Sequence, residues 1–228
     1  MTLKYKTLCA VAALGALFLL SGPVAAKDGD PVPARTALLA SLAAEGATPD
    51  ALYTARWILD SSDNRGLPFV IVDKKDAKMY VFEASGHLRG ATAALLGLAT
   101  GDHSVPGIGQ RNVSDILPFE RTTPAGRFLS QPGRNLSGET VIWVNYSEGL
   151  AIHRLRPGNT QEQRQQRLAS STPGDNRISL GCVVVPVAFY ENVVTPLLGN
   201  SYSMVYVLPE TRPVHALFGA YEIGSSLR

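Results

Sequence analysis

Residues 69–82 have the sequence Phe69-Val70-Ile71-Val72-Asp73-Lys74-Lys75-Asp76-Ala77-Lys78-Met79-Tyr80-Val81-Phe82. Both ends of this stretch consist of β-branched, aromatic and other apolar residues, which are common in strands. The charged segment between them is rich in residues that favour turns. The stretch therefore predicts two strands joined by a tight connection.

Further strand-like runs follow along the chain, and turn-forming pairs such as Ser85-Gly86 and Pro132-Gly133 separate them. These runs are residues 94–98, 141–144 and 204–208. Two helical stretches interrupt them: a polar one near residues 161–169, expected on the surface, and an amphipathic one near residues 186–198. In the second, Phe189, Val193 and Leu197 have the i, i+4, i+8 spacing of a helix face that packs on a sheet. The pattern predicts an α+β fold with a mainly antiparallel sheet.

Residues 33–63 have a helical pattern instead. Leu38, Leu42 and Trp57 belong to apolar groups at helical spacing, and Thr48-Pro49-Asp50 is a helix start signal. These features predict a helical hairpin. We expect four segments along the chain: a signal peptide at 1–26, an N-terminal helical segment at 27–66, a main domain at 67–210 and a C-terminal tail at 211–228.

The first residues have the pattern of a cleavable secretory signal. Lys4 and Lys6 precede an apolar run at residues 8–20, and the small residues Val24-Ala25-Ala26 follow. The run is shorter than the roughly 20 residues that span a membrane, so we expect an exported protein without stable membrane insertion. The formal net charge of +2 is nearly balanced and the basic residues are scattered, which argues against a nucleic-acid partner.

Cys182 is the one cysteine outside the predicted signal, because Cys9 lies within it. An unpaired thiol in an oxidising compartment is prone to mispairing and over-oxidation, so its presence indicates either deep burial or use as a nucleophile. We favour the nucleophile. A thiol needs a base or a positive neighbour to react, and His153, in the strand-like segment 150–155, is the candidate base.

The run Ser179-Leu180-Gly181-Cys182 has the character of a turn. Gly181 permits unusual dihedrals and a close approach of the backbone, so we expect the amides of Gly181 and Cys182, with Leu180 as a third, to stabilise an oxyanion. The other histidines have no partner at metal-ligand spacing. The sequence predicts neither a metal nor a cofactor.

His153 followed by Ser179-Leu180-Gly181-Cys182 resembles the signature of the L,D-transpeptidase catalytic domain, the YkuD-type fold of bacterial cell-wall enzymes. The strands at 71–82 are similar to the family's first hairpin, and residues 121–128 are similar to its Thr-Pro-x-Gly-x-Phe segment. The likeness covers about residues 67–208. It implies a β-sheet sandwich of the L,D-transpeptidase type for the main domain.

The resemblance also implies a function in cell-wall biogenesis and cell shape, at a periplasmic or wall-associated location. The family attacks the L-to-D bond of a peptidoglycan tetrapeptide stem with a thiol, releases the terminal D-alanine and passes the acyl group to an amine. By this resemblance Cys182 is the nucleophile and His153 is the general base and then the acid. Ser179 and Gly181 shape the site.

Two positions depart from the family pattern. Leu180 stands where histidine is common, and Val184 stands where arginine is common. We therefore expect Arg154, Arg156 or Arg177 to bind a substrate carboxylate, since guanidinium groups pair with carboxylates bidentately. Leu180 is expected to contact the substrate. The interval between Arg154 and Ile178 is longer than in the family, and its helix is expected to form a lid or to narrow the substrate range.

Several alternatives remain open at this stage. With water as the acceptor the same residues give an L,D-carboxypeptidase, and with a protein amine they give a protein-anchoring enzyme. A non-catalytic peptidoglycan-binding module would retain the fold without the chemistry, with Cys182 as an apolar filler and His153 as a core residue. A papain-like protease is disfavoured, because that family's local cysteine signature is absent.

Overall fold

The computed structural model describes residues 31–157 and 160–218, so the predicted signal peptide lies outside the described residues. The strands are β1 Phe69–Asp73, β2 Lys78–Phe82, β3 Leu88–Ala93, β4 Leu96–Gly97, β5 Gly126–Arg134, β6 Thr140–Asn145, β7 Leu150–Arg154, β8 Arg177–Ser179, β9 Val183–Val185 and β10 Ser203–Val207. The α-helices are α1 Pro31–Ala44, α2 Pro49–Ser61, α3 Arg164–Ala169, α4 Val187–Phe189, α5 Thr195–Leu198 and α6 Val214–Phe218. A π-helical turn, Tyr190–Val194, joins α4 to α5.

Most of the strands form one large sheet in the order β3-β2-β1-β10-β5-β6-β7-β9. The β1–β10 and β7–β9 pairs are parallel, and the other neighbours in this sheet are antiparallel. Strands β4 and β8 form a separate two-stranded sheet. The sheet is therefore mixed, and the expected antiparallel sandwich is not confirmed. Long connections between β1 and β10, and between β7 and β9, allow the parallel pairing.

The hairpin of β1 and β2 forms where the sequence predicts it. Phe69 pairs with Phe82 and Asp73 with Lys78. The connection is closed by the Asp73 carboxylate, which accepts hydrogen bonds from the backbone N–H groups of Lys75 and Asp76 at 3.0 and 3.3 Å. Such an Asx-type turn explains why the charged segment ends one strand and starts the next.

Strand β1 is buried on both faces, which explains its uninterrupted run of apolar residues. Val70 and Val72 face one hydrophobic cluster, whereas Phe69 and Ile71 face another. The second cluster contains side chains of α1, α2 and α6, so the helices cover that face of the sheet. Within the described ranges no helix is both long and apolar enough to cross a bilayer.

Helix α2 begins where the start signal predicts. The Thr48 side chain accepts a hydrogen bond from the backbone N–H of Ala51 at 3.2 Å, which caps the helix. With α1 it forms the predicted pair of helices. Trp57 of α2 stacks on Phe218 of α6, with ring centroids 5.8 Å apart.

The segment 187–198 packs on the opposite face with a register that differs from the prediction. Tyr190, Val194 and Leu198 are fully buried in the core there. The predicted face, Phe189, Val193 and Leu197, is only partly buried against that core. Both sets have the same i, i+4, i+8 spacing, so the segment presents the neighbouring stripe, one position further along the chain, to the core.

Candidate active site

The turn at residues 179–182 joins β8 to β9 and is organised by Ser179. The Ser179 hydroxyl donates to the carbonyl oxygen of Cys182 at 2.6 Å and accepts from the backbone N–H of Gly181 at 3.0 Å. Ser179 is buried, so these bonds are shielded from water. The turn geometry thus depends on a hydroxyl at this position.

Gly181 occupies a backbone conformation that side chains rarely adopt. Its φ is 137°, and a Cβ atom placed there would lie 2.7 Å from the carbonyl oxygen of Thr122. Both facts require glycine. The Gly181 amide, however, is already engaged by Ser179. We expected that amide at an oxyanion site, whereas in this structure its N–H is bonded to the Ser179 hydroxyl.

Cys182 is partly exposed and lies directly before β9. Its sulfur lies 3.4 Å from the carbonyl oxygen of Gly149, to which the thiol donates. Burial of the sulfur raises the pKa of Cys182 above its ordinary value, and a hydrogen bond from the Ala151 amide and the charge of Arg156 oppose this shift only in part. The direction of this shift favours the neutral thiol over the thiolate.

His153 lies on β7, the strand that pairs with β9. Its Nδ1 is 2.9 Å from the carbonyl oxygen of Arg154. Because a carbonyl oxygen only accepts, Nδ1 carries the proton and Nε2 carries the free lone pair. Burial lowers the pKa of His153 below its ordinary value, so the ring is neutral near pH 7 and Nε2 can act as a base.

The parallel pairing of β7 and β9 brings His153 and Cys182 to one place. His153 is opposite Val184, and Ile152 is opposite Val183. Cys182 lies one residue before Val183, the first paired residue of β9, and two residues before Val184, the partner of His153. It is therefore placed diagonally across from His153. Residues two apart along a strand face the same side of the sheet, so an extended chain from Val184 back to Cys182 places Cys182 on the face that carries Val184 and His153. Two residues that are 29 positions apart in the chain thus share one face of the sheet.

A small pocket of about 170 Å³ opens beside Cys182. Leu180, Gly181 and Cys182 form one wall, and the β6–β7 turn at Glu148 and Gly149 forms another. The remaining wall comes from the connection between β4 and β5: Ser104, Ile108, Gly109, Arg111, Val113, Ile116, Thr122 and Pro124, with Leu150 at the start of β7. Leu180 is 38% exposed and thus available to a bound molecule.

Arg111 and Glu148 are charged residues of this pocket that the sequence analysis did not identify. Arg111 donates to a carboxylate oxygen of Glu120 at 2.8 Å, which holds its guanidinium at the rim. That bond raises the pKa of Arg111, while the same contact lowers the pKa of Glu120. Neither residue lies in a motif, so only the folded structure, which brings the β4–β5 connection and the β6–β7 turn together, reveals them.

Two of the three predicted substrate-binding residues lie outside the lining of this pocket. Arg177 binds the Glu210 carboxylate and donates to the carbonyl oxygen of Lys74 at 2.9 Å. Arg154 lies 3.4 Å from Glu191 on the surface. Both guanidinium groups are therefore paired with acidic residues of this chain. Of the predicted set, Leu180 alone is placed beside Cys182.

The polar segment expected to form a lid borders a different pocket. Helix α3, with Leu155, Arg156 and Val187, lines a larger cavity of about 890 Å³. That cavity has no lining residue in common with the pocket at Cys182. The segment therefore does not cover Cys182 in this conformation. Arg156 remains relevant, because its charge lowers the pKa values of both His153 and Cys182.

No protein-family model and no curated protein matches the chain. Solved structures that it resembles include the helical cell shape determining protein Pgp2 from Campylobacter jejuni, at 16% identity and a TM-score of 0.42, over 64% of this chain and 49% of that one. An L,D-transpeptidase from Xylanimonas cellulosilytica matches at 16% identity and a TM-score of 0.38, over 62% and 60% of the two chains.

An L,D-transpeptidase from Mycobacterium smegmatis matches at 16% identity and a TM-score of 0.35, over 61% of this chain and 58% of that one. The chain thus spans less than two thirds of the length of each of these structures. At this level of similarity, function has to be inferred from the residues of the site itself.

Proposed function

We propose that the protein is an exported peptidoglycan L,D-transpeptidase that forms an acyl-enzyme on Cys182 with a tetrapeptide stem and transfers it to an amine. The observation that carries the proposal is a partly exposed thiol directly before β9, the strand that pairs with the strand of His153, where the hydrogen bond from Nδ1 to the Arg154 carbonyl oxygen leaves Nε2 as the base. A nucleophile, a base and a residue that orients the base are the parts that thiol acyl transfer requires.

In the first half-reaction Nε2 of His153 takes the thiol proton while the sulfur of Cys182 attacks the carbonyl carbon between the L-centred residue and the terminal D-residue. A carbon–sulfur bond forms, and the carbonyl oxygen becomes an oxyanion. The carbon–nitrogen bond then breaks, and the amine of the D-residue leaves with the proton from His153. A thioester on Cys182 remains.

In the second half-reaction an acceptor amine attacks the thioester. His153 takes a proton from that amine and returns it to the sulfur, which restores the neutral thiol and yields a new amide bond. Water in place of the amine yields a free carboxylate, so the acceptor decides between cross-linking and trimming. The neutral resting states of Cys182 and His153 suit this scheme, because the proton moves only as the sulfur attacks.

The size of the pocket supports a peptide that is held in an open groove. Pockets that enclose drug-sized ligands measure about 300–1,000 Å³. The pocket at Cys182, at about 170 Å³, encloses a single residue or less of a stem peptide. We infer that it holds the group next to the reacting carbonyl, while the rest of the stem lies on the surface.

The test is incubation of the mature protein, wild type and Cys182→Ala, with a disaccharide-tetrapeptide, followed by intact-mass spectrometry and chromatography of the muropeptides. The transpeptidase predicts a Cys182-dependent acyl adduct and a cross-linked dimer, with free D-alanine released. An adduct with tripeptide as the only product would identify a carboxypeptidase. Absence of adduct and product, while the protein still sediments with sacculi, would refute the enzyme and support a binding module.

A further inference from the structure

Thr123 connects the interior of the protein to the turn that carries Cys182. It is fully buried, whereas its neighbours Thr122 and Pro124 line the pocket. Its side chain therefore faces away from the pocket, behind the turn. The Thr123 hydroxyl accepts from the backbone N–H of Gly97 at 2.8 Å and donates to the carbonyl oxygen of Gly181 at 2.8 Å.

The bond to Gly181 fixes the peptide unit between Gly181 and Cys182. This peptide is trans, so its C=O and N–H groups point in opposite directions. Because the buried Thr123 hydroxyl binds the Gly181 oxygen, the N–H of Cys182 is directed away from Thr123. The Gly181 amide is engaged by Ser179, so of these two neighbouring amides the one of Cys182 is the candidate donor to the oxyanion.

Thr123 is itself held by a buried cation. The ammonium of Lys74 has no exposed surface and donates to the Thr123 carbonyl oxygen at 2.9 Å. The same ammonium binds a carboxylate oxygen of Asp102 at 2.9 Å and the carbonyl oxygen of Gly101 at 2.5 Å. The backbone of Thr123 therefore has little freedom to move, which makes its hydroxyl a fixed point for the turn.

We propose that Thr123 is a positioning residue that aims the backbone N–H of Cys182 at the oxyanion formed during acylation. This inference rests on the proposed function, because it concerns the same thiol and the same tetrahedral intermediate. Thr123 touches neither the substrate nor the sulfur in this scheme, and it acts through the peptide plane of Gly181 and Cys182. The Lys74 ammonium keeps Thr123 in place.

The test compares two reactions of Cys182 that differ in one feature. Acylation by para-nitrophenyl acetate passes through a tetrahedral oxyanion, whereas alkylation by iodoacetamide is a direct displacement at carbon without one. Loss of an oxyanion donor costs about 10²–10³ in rate, so a misaimed donor in Thr123→Val should slow acylation by at least about 10-fold. Alkylation should be unchanged, and Thr123→Ser, which retains the hydroxyl, should restore acylation.

Thr54→Val is the matched control, since Thr54 is also fully buried and its hydroxyl donates to a backbone carbonyl, that of Asp50, at 2.7 Å in helix α2. Its acylation rate should equal that of the wild type. If Thr123→Val does not fold, Thr123→Ala removes the hydroxyl without placing a methyl group against the Gly181 oxygen, and the same comparison applies.

The outcomes separate the two proposals. Equal acylation rates in wild type and Thr123→Val, or an equal decrease in acylation and alkylation, would refute the positioning role. Neither result would contradict the proposed acyl-enzyme on Cys182. A wild-type thiol that para-nitrophenyl acetate acylates no faster than free cysteine would refute the proposed function, and the role of Thr123 would fall with it.

Discussion

Two groups of ionisable side chains lie close to the turn at residues 179–182, and burial affects them in opposite ways. Cys182 and His153 are partly buried and neutral, because burial raises the pKa of the thiol and lowers that of the imidazole. Lys74 and Asp102 are fully buried, yet they form an ion pair at 2.9 Å.

The difference lies in the number of hydrogen bonds. Burial alone acts to raise the pKa of Asp102, but donors from Thr211, Lys74 and the backbone of Glu210 more than offset it and hold that pKa below the usual range. The Lys74 ammonium has acceptors for all three of its protons. Cys182 and His153 have few such partners, so desolvation decides their state. We therefore assign a structural role to the ion pair of Lys74 and Asp102, whose hydrogen bonds are satisfied. Cys182 and His153, with few partners, are the groups available for reaction.

The first way to test this contrast is to remove the base. His153→Gln should decrease the rate of Cys182 acylation by about 10²–10⁴-fold, the usual contribution of a general base, because the neutral thiol then has no group to take its proton. Single-turnover mass spectrometry with the disaccharide-tetrapeptide measures this rate. His87→Gln, at an exposed turn, is the control and should leave the rate unchanged. A wild-type rate in His153→Gln would show that the thiol does not depend on this histidine.

The second way is to break the charged pair. Asp102→Asn leaves the buried Lys74 ammonium with one acidic partner, Glu210 at 3.3 Å, which also binds Arg177, so the free energy of unfolding should fall by about 3 kcal/mol, the lower end of the cost of breaking a buried ion pair. Asp50→Asn is the matched control, since Asp50 pairs with Lys75 at 2.7 Å on the surface and should cost about 1 kcal/mol or less. Urea unfolding measures both values. Equal costs would contradict the account of the buried cluster.

The pH dependence of acylation tests the neutral state of His153. Its lowered pKa means that Nε2 remains unprotonated below the ordinary histidine value of about 6.5. The acid limb of kcat/KM for acylation should therefore lie below that pH. An acid limb at or above the ordinary value would show that the ring is stabilised as a cation.

A smaller effect is expected at Arg156. Its charge lowers the pKa of His153, but burial is the larger cause. Arg156→Gln should therefore move the acid limb to higher pH. The limb should still lie below the ordinary histidine pKa, because burial continues to lower the pKa of His153. Arg134→Gln, on β5, serves as a control of equal charge change. A downward shift in Arg156→Gln would contradict the assigned sign.

The sequence predicted those parts of the molecule that depend on local pattern. The hairpin at 69–82 follows from two apolar runs and the turn residue Asp73, and the turn at 179–182 follows from its serine and glycine. Cys182 directly precedes β9, which pairs with the strand of His153, as a sheet that brings the two together requires. Their chemical roles remain predictions until they are measured.

The features that sequence missed depend on contacts between distant segments. Arg177 was expected at the substrate, but it binds Glu210, 33 residues further along the chain. Thr123 lies in a segment that the resemblance identified, yet its bond to Gly181 spans 58 positions. No local pattern distinguishes a hydroxyl that caps a turn from one that anchors a distant peptide. The buried stripe of 187–198 was misplaced by one residue, because two neighbouring stripes of largely apolar residues have the same helical spacing and periodicity alone does not choose between them.

The central claim is that Cys182 rests as a neutral thiol and loses its proton to His153 only as it attacks. The most direct measurement is a pH titration of the Cys182 thiolate by its ultraviolet absorbance, with Cys182→Ala as the blank. The account predicts no thiolate at neutral pH and a transition above the ordinary cysteine pKa, in both wild type and His153→Gln. A thiolate that is present at neutral pH in the wild type and absent in His153→Gln would show a preformed ion pair and contradict the account.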